Sequence, residues 1–354
     1  MTTPEGGNGG IWMSGAAPSV DASGNIYLTV GNGTVGTSAN PSDPINRGES
    51  FLKLNGTNLT IQSWFTPFNW QILENGDIDL GSAGILLIPG TSLALSGGKE
   101  GKLYLVNRDN MGGLSGSTTA DTNVVQSFQV AGLSNPNDIH GAPVWWDGAD
   151  GSFTYVWGEF DYLRQFKFDP AGGKFFLPNF AQSAVQAPNG MPGGILAVSA
   201  NGTNAGTGIL WASHQYTGNA NQSVRPGVLR AYNAQNVGSE LWNSEQFSAR
   251  DTVGNFAKFC PPTVANGKVY LATFSNRLLV YGLLSRPALS VRLAGASVVL
   301  SWPTNQALGY KLQSNTNLLY GGWLDSMSAV TTSNGVYQVT LPASGAATFF
   351  RLKF

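Results

Sequence analysis

Cysteine is all but absent: Cys260 stands alone among 354 residues, so no intrachain disulfide can form and the fold must be held by packing. Histidine is nearly as scarce, and with only His140 and His214 a three-histidine zinc centre is excluded. Charge is thin as well. The 19 basic and 20 acidic side chains leave a net charge of −1, so there is no basic field to meet nucleic acid or an anionic membrane. No apolar run approaches the roughly 20 residues of a membrane-spanning helix. The opening stretch Met1-Thr2-Thr3-Pro4-Glu5-Gly6-Gly7-Asn8-Gly9-Gly10 reads as a loop without a signal peptide, so any export signal is expected to have been removed or to lie upstream.

What is present is glycine, proline and short apolar strands. With 46 Gly and 18 Pro the chain is dense in turns, and 354 residues are ample to bury two cores. A strand-rich unit recurs through position 284. Its innermost strand opens at Ala17-Pro18-Ser19-Val20, Ala83-Gly84-Ile85, Ala142-Pro143-Val144, Gly193-Gly194-Ile195 and Pro261-Pro262-Thr263-Val264. Counted from Pro18, Gly84, Pro143, Gly194 and Pro262, the spacings are 66, 59, 51 and 68, a period suited to four-stranded blades with variable loops. Short strands bounded by turn residues follow each opening, as in Asn25–Val30, Ser50–Leu54 and Thr60–Phe65 of the first unit. The fifth unit offers Lys268–Ala272 and Arg277–Tyr281 and then no clear outer strand, so that blade reads as incomplete.

The segments Val264-Ala265-Asn266-Gly267-Lys268-Val269-Tyr270-Leu271 and Gly98-Lys99-Glu100-Gly101-Lys102-Leu103-Tyr104-Leu105, with Leu229–Ala234 followed by Glu240-Leu241-Trp242, resemble blades of the quinoprotein-dehydrogenase-like (PQQ-repeat-like) β-propeller superfamily. The resemblance covers residues 1–284. Its blade signature is an Ala-x-Asp/Asn start, a Gly and a Trp packed between blades. Ala231, Asn233, Gly238 and Trp242 match it with one extra residue between Asn233 and Gly238, which implies that Trp242 is structural. Propellers of this kind usually have seven or eight blades, whereas five are visible. The favoured expectation is the C-terminal part of a longer propeller, and the alternative is closure with five. The quinone enzymes of the superfamily are marked by a vicinal disulfide, which one cysteine cannot make, so quinone-dependent oxidation is the least favoured activity and no cofactor is expected.

From Ser285 the pattern changes. The runs Ala288–Leu293, Ser297–Trp302, Tyr310–Gln313, Val336–Leu341 and Thr348–Phe354 alternate apolar and polar residues, as in a small two-layer sandwich over 285–354. This module resembles the immunoglobulin-like or fibronectin-like C-terminal domains of secreted bacterial proteins, which position or anchor a main domain. The fold expected is thus all-β, a propeller followed by a β-sandwich, in an extracellular or cell-surface protein.

Candidate chemistry sits in the loops, where propellers carry binding groups. Glu74, Asp77 and Asp79 place three carboxylates within six positions beside the aromatic stretch Trp64–Trp70. They are the candidate Ca²⁺ ligands, although the EF-hand pattern is absent. His140 and His214 are candidates for catalysis or for a metal site completed by Asp138, Glu159 or Asp161. Glu159 and Asp161, read as flanking Phe160 on one strand, are a candidate carboxylate pair for glycoside hydrolysis. The runs Lys99-Glu100 with Arg108-Asp109, and Arg250-Asp251 with Lys258, read as structural ion pairs, and Cys260 as a buried, inert thiol. The function expected is noncatalytic: a binding or scaffold propeller for a glycan, surface polymer or protein partner, with self-assembly through an open propeller edge. The alternative is a polysaccharide hydrolase or lyase.

Overall fold

The computed structural model describes residues 1–132, 137–283, 286–304, 307, 309–318, 321–344 and 347–354. The chain is all-β and divides into two compact units, Met1–Tyr281 and Gly282–Phe354. The boundary expected at 284/285 falls on Leu284 and Ser285, which lie outside the described residues.

The first unit is five sheets met in chain order, each built on an antiparallel meander from an inner to an outer strand; the first sheet adds Gly113–Leu114 parallel to Ile61–Thr66, and the third adds Lys174–Phe175 beside Tyr162–Asp169. The first blade runs Ser19–Val20, Ile26–Val30, Ser50–Leu54, Ile61–Thr66, and the second Leu86–Leu87, Leu93–Gly97, Lys102–Asn107, Gln126–Gln129. The third is Val144–Gly148, Gly151–Val156, Tyr162–Asp169, Ala181–Gln186, and the fourth Ile195–Ser199, Ile209–Gln215, Gly227–Asn233, Glu240–Asn243. The fifth has three strands, Thr263–Ala265, Lys268–Thr273 and Arg277–Gly282. Every opening inferred from the repeat therefore precedes or begins an innermost strand.

The apolar alternation of these strands is consumed between blades rather than on one shared face. Tyr27, Phe51 and Phe65 of the first blade pack on Ala94, Tyr104 and Val106 of the second. Leu95, Leu103 and Phe128 of the second meet Phe166, Phe168 and Phe175 of the third. Phe153, Tyr155 and Trp157 of the third meet Leu196, Leu210 and Tyr232 of the fourth, and Leu229 and Trp242 of the fourth meet Val269, Leu271 and Tyr281 of the fifth. Each buried aromatic contributes about 3 to 5 kcal/mol against truncation to alanine.

The approaches to the innermost strands also touch in a cycle. Gly84 lies against the Ala16 and Ala142 side chains, Gly141 against the Gly194 carbonyl, and Gly15 against the Phe259 carbonyl. At Gly84 and Gly15 a Cβ would collide with these neighbours, and Gly15 also sits at φ +79°. The five blades thus ring a common axis, and Met13, packed with Leu28, Val30 and Leu52, fills the inner side of the first blade. The segment before the first blade and the segment before the fifth meet at Gly15 and Phe259.

The second unit pairs Ser290–Ala294, Ser297–Pro303, Val336–Pro342 and Thr331–Ser333 in one sheet, and Leu324–Asp325, Lys311–Asn315 and Phe349–Lys353 in another. Leu300, Trp302 and Val339 from the first sheet and Leu312, Phe350 and Leu352 from the second share one core, so the unit is a two-layer sandwich.

A candidate binding site at the mouth of the axis

In a meander the innermost strand leaves one end of the blade and the second strand returns to it. The approach to each first strand and the turn from second to third strand therefore open at the same end. Trp12, Asp79, Asp138, His140, Lys258 and Phe259 stand on such approaches, and Asn32, Lys99 and Glu159 on such turns. The topology gathers side chains far apart in sequence around the mouth of the axis.

Three rings close this end. Trp12 lies 5.7 Å from His140 and 5.8 Å from Phe259 between ring centroids, and His140 lies 5.8 Å from Phe259. His140 is fully buried, while Trp12 and Phe259 are part-exposed. His140 Nε2 is 2.9 Å from Glu159 Oε1 and 3.7 Å from Asp138 Oδ2. Burial and the neighbouring Glu159 push the Asp138 carboxyl up to about 6, with His140 and Lys99 opposing. Lys258 reaches over the Phe259 ring at 5.1 Å and donates to the Asn221 carbonyl at 2.7 Å, and burial lowers its pKa.

On the other side of Trp12, Lys99 Nζ stands 5.7 Å from the indole centroid and donates to Asp79 Oδ2 at 2.5 Å and Asp77 Oδ2 at 3.1 Å. Burial works to lower the Lys99 pKa, but Asp79 and Asp77 outweigh it and hold it raised. Asp79 Oδ1 also accepts from the Asn32 backbone N–H at 2.9 Å, and Asp77 Oδ1 from Asn32 Nδ2 at 3.0 Å. Beneath them Glu49 is fully buried, accepting from the Leu80 N–H at 2.6 Å, and burial pushes its carboxyl up to about 8. Asn8, Gly10, Trp12, Asn32, Asp77 and Asp79 line a cleft of about 720 Å³ at this end.

Several sequence expectations change here. Glu159 and Asp161 lie in the turn between Gly151–Val156 and Tyr162–Asp169, not on a strand, with Phe160 at φ +46° reversing the chain. They do not form a pair: Glu159 turns to His140, while Asp161 binds Arg164 at 2.7 Å and accepts from the Gly132 and Tyr162 N–H groups. His214 does not join His140. It is buried under Trp157 at 4.8 Å, accepts from Arg230 Nε at 2.9 Å and donates Nδ1–H to the Gln215 carbonyl at 2.6 Å; burial, then Arg230, drives its pKa down to about 3.

The stretch around Glu74 is not a plain loop, because Trp70–Gly76 is a short helix ended by Asp77 in the left-handed conformation. Glu74 accepts from the Gly33 N–H, and Asp77 and Asp79 bracket Lys99, so this trio is satisfied by protein donors rather than converging as Ca²⁺ ligands. Lys99 and Glu100 do not pair with Arg108 and Asp109 across the hairpin. Glu100 takes hydrogen bonds from Tyr104 and Asn69, Arg108 donates to the Thr91 carbonyl, and Asp109 faces Lys53 of the first blade at 3.7 Å. Arg250 binds its neighbour Asp251. Cys260 is part-exposed rather than buried. Sequence reasoning passed over Trp12 and Phe259 as site residues. A tryptophan following a glycine-rich opening and an aromatic before Cys260-Pro261-Pro262 were the available signals.

No family model matches the chain, and no curated protein matches it. Among solved structures, one of U3-55K is similar at a TM-score of 0.28 and 13% identity over 61% of this chain, which spans 59% of that one. A structure of BBS1N in complex with ARL6DN is similar at a TM-score of 0.31 and 11% identity over 91% of this chain and 89% of that one. At these scores neither likeness bears on the site.

Proposed function

We propose that this chain is a glycan-binding propeller of the cell exterior, holding a saccharide unit in the cleft at the mouth of the axis while the C-terminal sandwich, read as immunoglobulin-like, positions or anchors it. The observation that carries the reading is Trp12. A part-exposed indole flanks a cleft of about 720 Å³ lined also by Asn8, Gly10, Asn32, Asp77 and Asp79, of which the Asp77 carboxylate is exposed. A sugar offers an apolar C–H face to an aromatic ring and hydroxyls to amides and carboxylates, so this wall matches it on both counts. Isothermal titration against a panel of neutral and charged oligosaccharides tests the reading. Binding to a member of the panel that falls about tenfold or more in Trp12→Ala supports it, since an aromatic contact is worth about 0.5 to 1.5 kcal/mol beyond its burial. Absence of binding across the panel, or binding indifferent to Trp12→Ala, refutes it.

A second reading, polysaccharide hydrolysis, has one observation in its favour. Asp138 and Glu159 present carboxylate oxygens within 4.8 Å of one another, and the Asp138 carboxyl is pushed up to about 6, as a general acid requires. Release of reducing ends from a bound polysaccharide, abolished in Glu159→Gln, would favour hydrolysis over binding alone.

A further inference from the structure

We propose that Asp138, His140 and Glu159 form a binding site for one divalent transition-metal ion, zinc above all, independently of whether the cleft beside Trp12 takes a glycan. The three donor atoms, one imidazole nitrogen and two carboxylate oxygens, lie within 4.8 Å of one another. Two of the separations, 2.9 Å and 3.7 Å, bracket the about 3.4 Å expected between ligands of a tetrahedral zinc with bonds near 2.1 Å.

The backbone is fixed for the purpose. Glu159 N–H donates to the Asp138 carbonyl at 2.9 Å, tying the two ligand segments together. Ile139, fully buried between the other two ligands, accepts from Ser82 Oγ at 2.7 Å and donates to the Gly98 carbonyl at 3.2 Å. Trp12 and Phe259 wall the imidazole, which lowers the local dielectric and strengthens a metal–carboxylate bond. Nε2 can donate a proton to only one of its two carboxylates. The nearer is Glu159, and among the described residues no hydrogen bond reaches the Asp138 carboxylate. A cation at the centre would engage Nε2 and both carboxylates at once, while the buried His140 Nδ1 has no hydrogen-bond partner among the described residues. An imidazole with two carboxylates suits zinc, manganese or iron better than calcium, and three protein ligands leave a position open to water or a ligand hydroxyl.

The test is calorimetric titration of the full 354-residue chain, stripped with chelator, with Zn²⁺, Mn²⁺ and Ca²⁺ separately, alongside His140→Ala, Asp138→Asn, Glu159→Gln and Cys260→Ser. The expected result is one equivalent of Zn²⁺ bound more tightly than Mn²⁺ or Ca²⁺. Affinity should be unchanged in Cys260→Ser and weakened in each ligand variant by more than the roughly 10- to 100-fold that loss of an outer partner costs. Asp138→Asn and Glu159→Gln preserve shape, so a folding failure of His140→Ala alone would not hide the answer. X-ray absorption of the zinc form should show a single imidazole and no sulfur. Absence of stoichiometric binding, binding that survives the conservative variants, or loss in Cys260→Ser would overturn the proposal.

Discussion

His214 makes the fold acid-sensitive by an amount that can be worked out. It is buried and neutral, accepting from Arg230 at one nitrogen and donating to the Gln215 carbonyl from the other, so a second proton has neither solvent nor a carboxylate to meet it. Its pKa in the folded protein is about 3, against about 6.5 when unfolded. The folded value is the lower one, so the unfolded state binds the proton first as pH falls. The histidine therefore leaves stability untouched above about pH 6.5 and removes about 1.4 kcal/mol for each pH unit below that, until about pH 3. Between pH 7 and pH 4.5 the loss assigned to this residue is on the order of 3 kcal/mol. Other groups titrate over the same range, but they are shared with His214→Gln, whose amide oxygen can still accept from Arg230. The assay is urea unfolding of both proteins at pH 7, 5.5 and 4.5, followed by tryptophan fluorescence. The variant should start less stable and lose on the order of 3 kcal/mol less on going to pH 4.5. Parallel losses in the two proteins would refute the argument.

Other outcomes follow from the same physics. Glu49 has the opposite sign: its folded pKa of about 8 lies above the unfolded value, so stability is intact below about pH 4.5 and is lost as pH rises toward 8. Glu49→Gln should remove that slope, gaining about 1.4 kcal/mol per pH unit over the interval in the same urea assay. Lys99→Met strands the buried Asp79 and should cost about 3 to 5 kcal/mol, whereas Lys53→Met, opposite the exposed Asp109, should cost less than about 1 kcal/mol. Phe51→Ala, cutting a fully buried ring between the first two blades, should cost about 3 to 5 kcal/mol, while Phe160→Ala on its exposed turn should stay within about 0.5 kcal/mol.

The repeat was legible because each inner strand must begin at a tight approach to its neighbours. That requirement leaves Pro18, Gly84, Pro143, Gly194 and Pro262 at intervals of 51 to 68 residues, and the structure begins an innermost strand within two residues of each. Which approaches meet was not legible, because it depends on contacts such as Gly15 with Phe259 between positions more than two hundred residues apart. The same limit applied to the site. His140, Asp138 and Glu159 could be named as residue types, but the ion-pair geometry that selects Glu159 and discards Asp161 lies in the turn at Phe160. His214 looked equivalent to His140 in sequence. Both are buried; the Arg230 guanidinium against His214, and the Asp138 and Glu159 carboxylates beside His140, separate a core histidine from one facing the axis. The carboxylates at 74, 77 and 79 suggested a cation; Asp77 and Asp79 find one in Lys99, which no local pattern pairs with them, while Glu74 accepts from the Gly33 N–H.

The most direct test of the mouth of the axis as the binding site is hydrogen exchange of the full chain with and without a saccharide identified by titration. Binding in the cleft predicts new protection at Asn8–Met13, Gly31–Gly33 and Asp77–Leu80, with the Gly282–Phe354 unit unchanged. Protection confined to that C-terminal unit, or to the outer strands of the blades, would contradict it.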